Sequence, residues 1–168
     1  PPGHGKSTFL KMLSGGVHPT TPNGSITYNG LTQQQCLEQS VYISKLVSYV
    51  DQVDLHLPLL TVRETLQFAL DNMVLKPARL QDSELAAIHA NKVNMILTLL
   101  GLHECADTVV GDELVRGISG GQKKRVTIGE FLIGDSRILC LDEVTTGLDS
   151  AAALDIFRAL HEWVRITN

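Results

Sequence analysis

A glycine-rich run near the start of the chain, Gly3-His4-Gly5-Lys6-Ser7-Thr8, restricts the possible folds more than any other part of the sequence. It supplies all of the pattern GxxxxGK[ST] except the first glycine, whose position would precede Pro1. Glycines let backbone N–H groups turn inward around phosphate oxygens, and a helix beginning there adds its positive dipole. In such a loop Lys6 would contact the β- and γ-phosphates and the Ser7 hydroxyl would bind Mg²⁺. A glycine-rich turn with an unrelated lysine is the alternative.

Composition excludes several other classes of protein. The chain has 168 residues, enough for one ordinary domain, and its 43% hydrophobic and 19% charged content is globular. Its 14 basic residues against 18 acidic ones give a net charge of −4, so it lacks the basic field of a nucleic-acid binder. Three distant cysteines outside any CxxC pattern argue against a disulfide framework or a zinc site (Cys36, Cys105 and Cys140). No apolar run approaches the roughly 18 to 20 residues that span a bilayer.

The first half of the chain combines strand and helix patterns. A helix is predicted over Thr8 to Leu13, and Asn29-Gly30 is typical of a β hairpin. A short strand is predicted over Leu46 to Val50. Thr61 and Glu64 form a predicted capping box, after which the apolar period becomes helical. The buried face of that helix is predicted to contain Val62, Leu66, Ala69 and Leu70.

The second half is predicted to be mostly helical. A helix capped by Ser83 or Asp82 should end at Gly101, and its apolar stripe contains Leu85, Ile88, Val93, Ile96, Leu97 and Leu100. A glycine-rich turn over Gly117 to Gly121 should open a helix that continues through Phe131. A last helix from about Ser150 should point four apolar side chains inward (Leu154, Phe157, Leu160 and Val164).

A second chemical motif is the run Ile138-Leu139-Cys140-Leu141-Asp142-Glu143. Four consecutive apolar residues predict a buried parallel strand, here within Arg137 to Leu141. Such a strand would direct Asp142 at the ligand shell of Mg²⁺, and Glu143 could polarise an attacking water. Many strands end in an acid, so the motif gains weight only from its combination with the glycine-rich loop.

A third motif, Ser119-Gly120-Gly121-Gln122, lies shortly before that strand. A hydroxyl, two glycines and a helix N-terminus together form a second possible anion cradle. The alternative is a flexible turn followed by a solvated basic helix face at Lys123 to Arg125. Its position between the two other motifs favours the anion cradle.

With these three motifs the sequence resembles the nucleotide-binding domain of an ATP-binding-cassette (ABC) transporter over essentially its whole length. Ile118 to Gln122 is similar to the LSGGQ signature of the family, with isoleucine in place of leucine. Gln52 matches the glutamine of the Q-loop, and Gly147-Leu148-Asp149-Ser150 matches the D-loop. The amino-acid sequences of two segments, Thr61 to Leu66 and Val115 to Val126, are similar to those of subfamily G. They are most similar to the first cassette of full-size pleiotropic-drug-resistance transporters.

The resemblance implies an α/β fold with a P-loop NTPase core, a small antiparallel β insert and a helical insert. The core would contain residues 1–60 and 131–168, and the helical subdomain carrying the signature turn would contain residues 61–130. The first residue is not methionine, and the family's upstream adenine-stacking aromatic and downstream switch histidine have no counterpart. We therefore expect a partial domain, truncated at both ends, of a longer protein. His161 is not assigned as the switch histidine.

The resemblance also implies the ligands, ATP and Mg²⁺, and the residues that bind them. Glu143 and Gln52 would be catalytic, and Ser7, Gln52 and Asp142 would contact the metal. Two runs and one aspartate would bind the nucleotide: Gly3, His4, Gly5, Lys6, Ser7, Thr8, then Ser119, Gly120, Gly121, Gln122, and Asp149.

For the function, the resemblance implies a motor domain on the cytoplasmic face of a multi-pass membrane exporter. It would pair head to tail with a second nucleotide-binding domain and contact the transmembrane domains, without a nucleic-acid partner. Turnover would require the second domain, so we expect the 168-residue chain alone to hydrolyse ATP poorly or not at all. Two alternatives are a soluble ABC ATPase acting on the ribosome or DNA, and a cassette that binds ATP only to regulate a partner.

Overall fold

The computed structural model describes residues 3–17, 24–73, 83–134 and 136–167, with the side chains of residues 73 and 83–90 outside the description. The chain divides into two compact units. Unit 1 contains Pro1–Gln52 and Asp135–Val144, and unit 2 contains Val53–Gly134 and Thr145–Asn168. The sequence-based division differs, because it assigned all of residues 131–168 to the core; that subdomain division stays a prediction.

Unit 1 contains a small hairpin and a parallel strand pair. The two residues of the hairpin turn, Asn29 and Gly30, have φ values of 51° and 81°, the left-handed conformation that two-residue hairpins need. The elements of the unit, in chain order, are α1 (Lys6–Leu13), β1 (Thr27–Tyr28), β2 (Leu31–Thr32), α2 (Gln33–Glu38), α3 (Ile43–Leu46), β3 (Val47–Val50) and β4 (Ile138–Leu141). β1 pairs with β2 antiparallel and β3 pairs with β4 parallel, so the predicted α/β organisation with a small antiparallel insert is confirmed.

The core of unit 1 lies against the parallel pair. Its buried members come from α2, α3, β3 and β4 (Cys36, Ile43, Val47 and Cys140), and Leu10 and Leu13 of α1 are packed against them. The Tyr28 hydroxyl donates to the Leu13 carbonyl at 2.7 Å and ties the hairpin to the end of α1.

For β4 the predicted parallel pairing is confirmed, whereas the predicted burial is wrong for most of the strand. Within β4 only Cys140 is buried, whereas Ile138 is 51% exposed. The prediction assumed that four consecutive apolar residues are covered on both faces of a sheet. The same pattern also fits a short strand that is covered over part of its length, and the sequence period does not distinguish the two cases.

Unit 2 is helical. Its elements are α4 (Val62–Met73), α5 (Ser83–Leu99), a short 3₁₀ turn (His103–Cys105), α6 (Gly120–Ile133) and α7 (Ser150–Thr167). The predicted capping box at the start of α4 is confirmed, because Glu64 N donates to Thr61 Oγ1 at 3.2 Å and Thr61 N donates to Glu64 Oε2 at 2.8 Å. An isolated antiparallel bridge joins Thr61 to Val109.

The core of unit 2 lies where α6 contacts α4 and α5. The predicted face of α4 is fully buried, and so are Val93, Ile96, Leu97 and Leu100 of the predicted α5 stripe. The other predicted positions of α5, Asp82, Leu85 and Ile88, lie outside the described residues or side chains. Gly129 permits the close approach of α6, since a Cβ there would lie 2.9 to 3.1 Å from side-chain atoms of Leu100, Leu66 and Ile96.

The predicted inward face of α7 is wrong. Of the four predicted residues, Leu154, Phe157 and Val164 are 49%, 56% and 53% exposed and Leu160 is half-buried, whereas Ile156 and Ala159 are buried. Helix α7 carries apolar residues on two sides, and the sequence analysis predicted that the side with the larger residues is buried. Helices α5 and α7 are in contact, and the buried side of α7 is the one that contains Ile156 and Ala159.

Within the described residues, no helix is both long and apolar enough to cross a membrane.

We predict that Gly117→Ala destabilises unit 2 by about 1 to 3 kcal/mol. A Cβ at this position would overlap the Val110 carbonyl and lie 2.6 Å from Gly111 N, and these are backbone atoms that cannot rotate away. Urea unfolding of the expressed chain measures the effect. The matched control is Gly120→Ala, because no atom lies within 4 Å of a Cβ there. Equal unfolding free energies for the two variants would contradict the prediction.

Candidate functional site

The glycine-rich loop of unit 1 leads directly into α1. Gly3 and Gly5 have φ values of 77° and 80°, a conformation that side chains disfavour, and the space where their Cβ atoms would project is open. Gly5 is the N-cap of α1 and offers no side-chain acceptor to the first-turn N–H groups. The start of α1 therefore presents uncapped donors and the positive end of a helix dipole beside Lys6 and Ser7.

Asp142 follows β4 and is 96% buried, with an exposed fraction of 4%. Its backbone N–H continues the ladder by donating to Val50 O at 3.0 Å, and its Oδ2 accepts from the Tyr49 hydroxyl at 2.7 Å. A hydrogen bond from Ser7, followed by the one from Tyr49, holds the pKa of Asp142 below its ordinary 3.8 although burial opposes this. Asp142 is thus an ionised carboxylate in contact with the Ser7 hydroxyl.

Glu143 joins two other predicted site residues. Its Oε1 lies 3.1 Å from Lys6 Nζ, and its Oε2 accepts from Gln52 Nε2 at 3.3 Å. The backbone of Glu143 has φ 49°, a left-handed value that glutamate rarely adopts. Such conformations concentrate at functional sites, where the surrounding structure compensates for their strain. Five predicted residues therefore form one cluster in unit 1 (Lys6, Ser7, Gln52, Asp142 and Glu143).

Two further residues beside this cluster, Tyr49 and Lys11, were not identified as site residues from the sequence. Tyr49 binds Asp142, and Lys11 Nζ lies 5.2 Å from the centre of the Tyr49 ring and 3.7 Å from Asp51 Oδ2. Burial, followed by the hydrogen bond to Asp142, raises the pKa of Tyr49 well above its ordinary 10.0. Parallel pairing of the strands that precede Gln52 and Asp142 is the signal that would have indicated Tyr49. His4 is an exposed residue of the loop, and Thr8 is an exposed residue of the first turn of α1.

The signature turn belongs to unit 2. Ser119 is the N-cap of α6: its Oγ accepts from Gln122 N at 3.3 Å, and its N–H donates to Gln122 Oε1 at 2.8 Å. Both side chains therefore take part in a capping box, which the sequence analysis did not anticipate. A Cβ at Gly120 would meet no atom within 4 Å, and one at Gly121 would lie 3.7 Å from Ala152 Cβ. The exposed glycine backbone at the helix start is the part open to an anion.

Asp149 also lies in unit 2, at the start of α7. Its Oδ1 accepts from Ala152 N at 2.8 Å, so the carboxylate caps this helix. The adjacent Leu148 has its Cδ2 3.8 Å from the Cβ position of Gly121. The predicted D-loop and the signature turn are thus neighbours within unit 2.

The residues of unit 1 fit a magnesium nucleotide chemically. Uncapped N–H groups and the Lys6 ammonium suit phosphate oxygens. A hydroxyl and an ionised carboxylate in contact, Ser7 and Asp142, supply the oxygen ligands that Mg²⁺ prefers. The open space at Gly3 and Gly5 leaves the loop backbone accessible.

We predict that Tyr49→Phe lowers the stability of the chain at pH 7 by about 1 to 2 kcal/mol, because Asp142 loses a charge-assisted hydrogen bond. The pKa of Asp142 is lowered in the folded state, so its ionised form contributes stability above about pH 4, and the contribution is lost as the pH falls through the folded-state pKa. The difference between variant and wild type should therefore shrink on acidification. Urea unfolding at pH 7 and pH 3 measures it.

The control for this prediction is Tyr42→Phe. Tyr42 is 52% exposed, and its ring lies near Lys45. We expect its unfolding free energy to equal that of the wild type at both pH values. A Tyr49→Phe effect of the same size at pH 3 and pH 7 would contradict the pKa argument.

Comparison with known proteins agrees with this geometry. The family model described as ABC transporter matches residues 1–146. ABC transporter G family member 34 of Oryza sativa subsp. japonica and pleiotropic drug resistance protein 1 of Nicotiana tabacum are each 38% identical to the chain over 99% of its length. ABC transporter G family member 48 of Oryza sativa subsp. japonica is 39% identical over 100%. The chain spans about 13% of the length of each of these relatives. With a P-loop NTPase fold and a family model covering most of its residues, the chain belongs to the ABC transporter family, and its relatives there are G-family and pleiotropic-drug-resistance proteins.

Proposed function

We propose that the chain is the ATP-binding and ATP-hydrolysing motor domain of a multi-pass membrane exporter of the G or pleiotropic-drug-resistance type. The observation that carries the proposal is the cluster in which Glu143 contacts both Lys6 and Gln52. A general base, a phosphate-binding cation and a polar amide are the groups that phosphoryl transfer to water requires. The names of the relatives support the transport role.

For binding, the first-turn N–H groups of α1 and the Lys6 ammonium hold the phosphates of ATP. Ser7 and Asp142 would hold Mg²⁺, which when bound would draw electron density from the phosphate oxygens. Tyr49 orients the Asp142 carboxylate through the 2.7 Å hydrogen bond from its hydroxyl. Gln52 would be the third residue that contacts the metal.

For hydrolysis, the ion pair between Lys6 and Glu143 has a specific consequence. Lys6 leaves Glu143 Oε1 when it binds a phosphate oxygen, because its ammonium group is drawn to the greater negative charge. Glu143 then accepts a proton from the attacking water, which Gln52 orients through its amide. Glu143 is thus paired with Lys6 until a phosphate replaces Glu143 as the partner of the lysine. Proton acceptance by Glu143 is thereby linked to nucleotide binding.

The proposed partners are a second nucleotide-binding domain, arranged head to tail, and the transmembrane domains of the same protein. The Gly120 backbone at the start of α6 would meet the γ-phosphate held by the partner domain, since this helix end is open. The domain would work at the cytoplasmic face of the membrane. The alternative of a soluble cassette acting on the ribosome or DNA loses support because the relatives are named as transporters.

Lys6→Ala should weaken ATP binding by about 10- to 100-fold, as expected from losing charge-assisted hydrogen bonds to phosphate. The loss also leaves Glu143 without its lysine partner near the incoming phosphates. Titration calorimetry of the expressed chain with Mg²⁺ and ATP measures the affinity. Lys45→Ala is the control, since Lys45 is an exposed lysine beside Tyr42. Equal affinities for both variants would reject the phosphate-binding role of Lys6.

Glu143→Gln should retain ATP binding and slow hydrolysis by about a hundredfold or more, the size of effect expected for losing a general base. Phosphate release by the membrane-embedded transporter that contains this domain measures turnover. Glu162→Gln is the control, because Glu162 is an exposed glutamate of α7 that pairs with Arg165. Unchanged turnover in Glu143→Gln would reject this base. ATP binding without hydrolysis by the wild type would favour the regulatory cassette.

A further inference from the structure

The phenol of Tyr49 is held from three directions within unit 1. Its backbone belongs to β3 and lies opposite Cys140 of β4 in the parallel register. Its hydroxyl donates to Asp142 Oδ2 at 2.7 Å. Its ring faces Lys11 of α1, whose Nζ lies 5.2 Å from the ring centre and 3.7 Å from Asp51 Oδ2. Strand pairing, a hydrogen bond and a cation–π contact therefore fix the position of the hydroxyl.

The carboxylate of Asp142 is held in turn. Asp142 is buried, and its backbone N–H donates to the Val50 carbonyl at 3.0 Å, so the start of the side chain is fixed by the strand pair. Rotation of the carboxylate would break the bond to Tyr49 and leave a half-buried hydroxyl without its acceptor, which costs stability. The carboxylate therefore keeps Oδ2 directed at the phenol.

Hydrogen-bond accounting shows what Asp142 offers to a cation. A carboxylate only accepts, so the hydroxyls of Tyr49 and Ser7 both donate to it. After donating its proton, the Ser7 oxygen keeps its lone pairs for a cation. The Tyr49 phenol is not one of the proposed metal-binding groups, so its bond to Oδ2 takes charge from that oxygen without supplying a ligand in exchange. Oδ1 is thereby the better metal ligand of the two carboxylate oxygens.

Divalent cations differ in how they use a carboxylate. Mg²⁺ demands a near-octahedral set of oxygen ligands at about 2.0 to 2.1 Å. Ca²⁺ accepts about six to eight oxygens at about 2.3 to 2.6 Å, and carboxylates bind it through one oxygen or through both. Both ions carry the same charge, so a neighbouring charged group attracts or repels them almost equally. A site discriminates between them through the number and arrangement of its ligand oxygens.

We propose that Tyr49 is a positioning residue that sets the metal selectivity of the nucleotide site. By holding Oδ2, it restricts Asp142 to a ligand of one oxygen and thereby favours Mg²⁺ over Ca²⁺. Tyr49 lies outside the glycine-rich loop and outside the acidic pair that follows β4. The inference rests on the proposed function, because it takes Ser7 and Asp142 as the residues that bind the metal of the nucleotide.

The experiment measures binding of the β,γ-imido analogue of ATP to the expressed chain by titration calorimetry, with either Mg²⁺ or Ca²⁺ in excess. The analogue is not hydrolysed, so the result does not depend on turnover. We expect Tyr49→Phe to weaken binding with Mg²⁺ by about 10-fold, the effect typical of losing a hydrogen-bond partner of a metal ligand. With Ca²⁺ the affinity should stay the same or rise, because Oδ2 becomes available as a second ligand. The preference for Mg²⁺ over Ca²⁺ should therefore fall by about 10-fold or more.

Two further variants separate the hydroxyl from charge and from stability. Lys11→Met removes the cation over the ring and keeps the hydroxyl, so the affinities with the two ions should change by the same factor. Tyr42→Phe removes a hydroxyl from an exposed tyrosine of the same unit, beside which Lys45 Nζ lies 5.6 Å from the ring centre, and should change neither affinity. A loss of stability alone weakens binding with both ions equally. The ratio of the two affinities therefore reports positioning even where the melting temperature of Tyr49→Phe is lower.

The outcomes distinguish this inference from the function on which it rests. If the wild type binds the analogue with Mg²⁺ but Tyr49→Phe leaves the ratio of the two affinities unchanged, the selectivity role is rejected and the proposed nucleotide site stands. The selectivity role is also rejected if the wild type binds equally well with both ions, or if Lys11→Met lowers the preference as much as Tyr49→Phe. If the wild type binds the analogue with neither ion, both proposals fall.

Discussion

Parallel pairing of β3 with β4 is the constraint on which the site in unit 1 depends. The register places Val50 opposite Leu141, and the Asp142 N–H extends the ladder to the Val50 carbonyl. Chain segments that follow two parallel strands leave the sheet at the same edge. Gln52 and Glu143, which are 91 residues apart, therefore come within hydrogen-bond distance. A shift of the register by one residue would move Tyr49 away from Asp142 and turn the side chains of the strand to the opposite face.

Electrostatic compensation then determines how the cluster is arranged. Two adjacent acids end β4, and each is matched separately: Asp142 by two hydroxyls, and Glu143 by a lysine and an amide. This separation gives the acids different environments although they are neighbours in the sequence. Asp142 is buried and ionised, which suits a metal ligand. Glu143 is exposed beside a cation, which suits a base that can change its partner.

In unit 2, most of the structure depends on the contacts of helix α6. One side packs against α4 and α5, where Gly129 removes the side chain that would hold the helices apart. Another side carries the charged contacts to the segment that contains Asp54 and His56. Its N-terminus is capped by its own Ser119 and Gln122. A single helix thus has apolar, charged and anion-accessible surfaces, which explains why its sequence shows no clean amphipathic pattern.

Local sequence is sufficient to predict much of the fold and of the candidate site. The glycine-rich loop, the Asn29-Gly30 hairpin and the capping box at Thr61 depend on residues within about four positions of one another, where backbone conformation and short hydrogen bonds decide the outcome. The predicted cluster residues were also identified from motifs, and those of unit 1 lie together. The role of each stays a prediction that the mutants above test.

Long-range packing decided the rest. Helix α7 offers two apolar sides, and the folded chain buries the one that contains Ile156 and Ala159. Tyr49 becomes part of the site through its strand partner, and no local pattern marks it. The inward turn of Asp54 and His56 depends on Lys124 and Thr127, about 70 residues further along the chain. Such pairings depend on which surfaces meet in the folded molecule, and residue type and period do not contain that information.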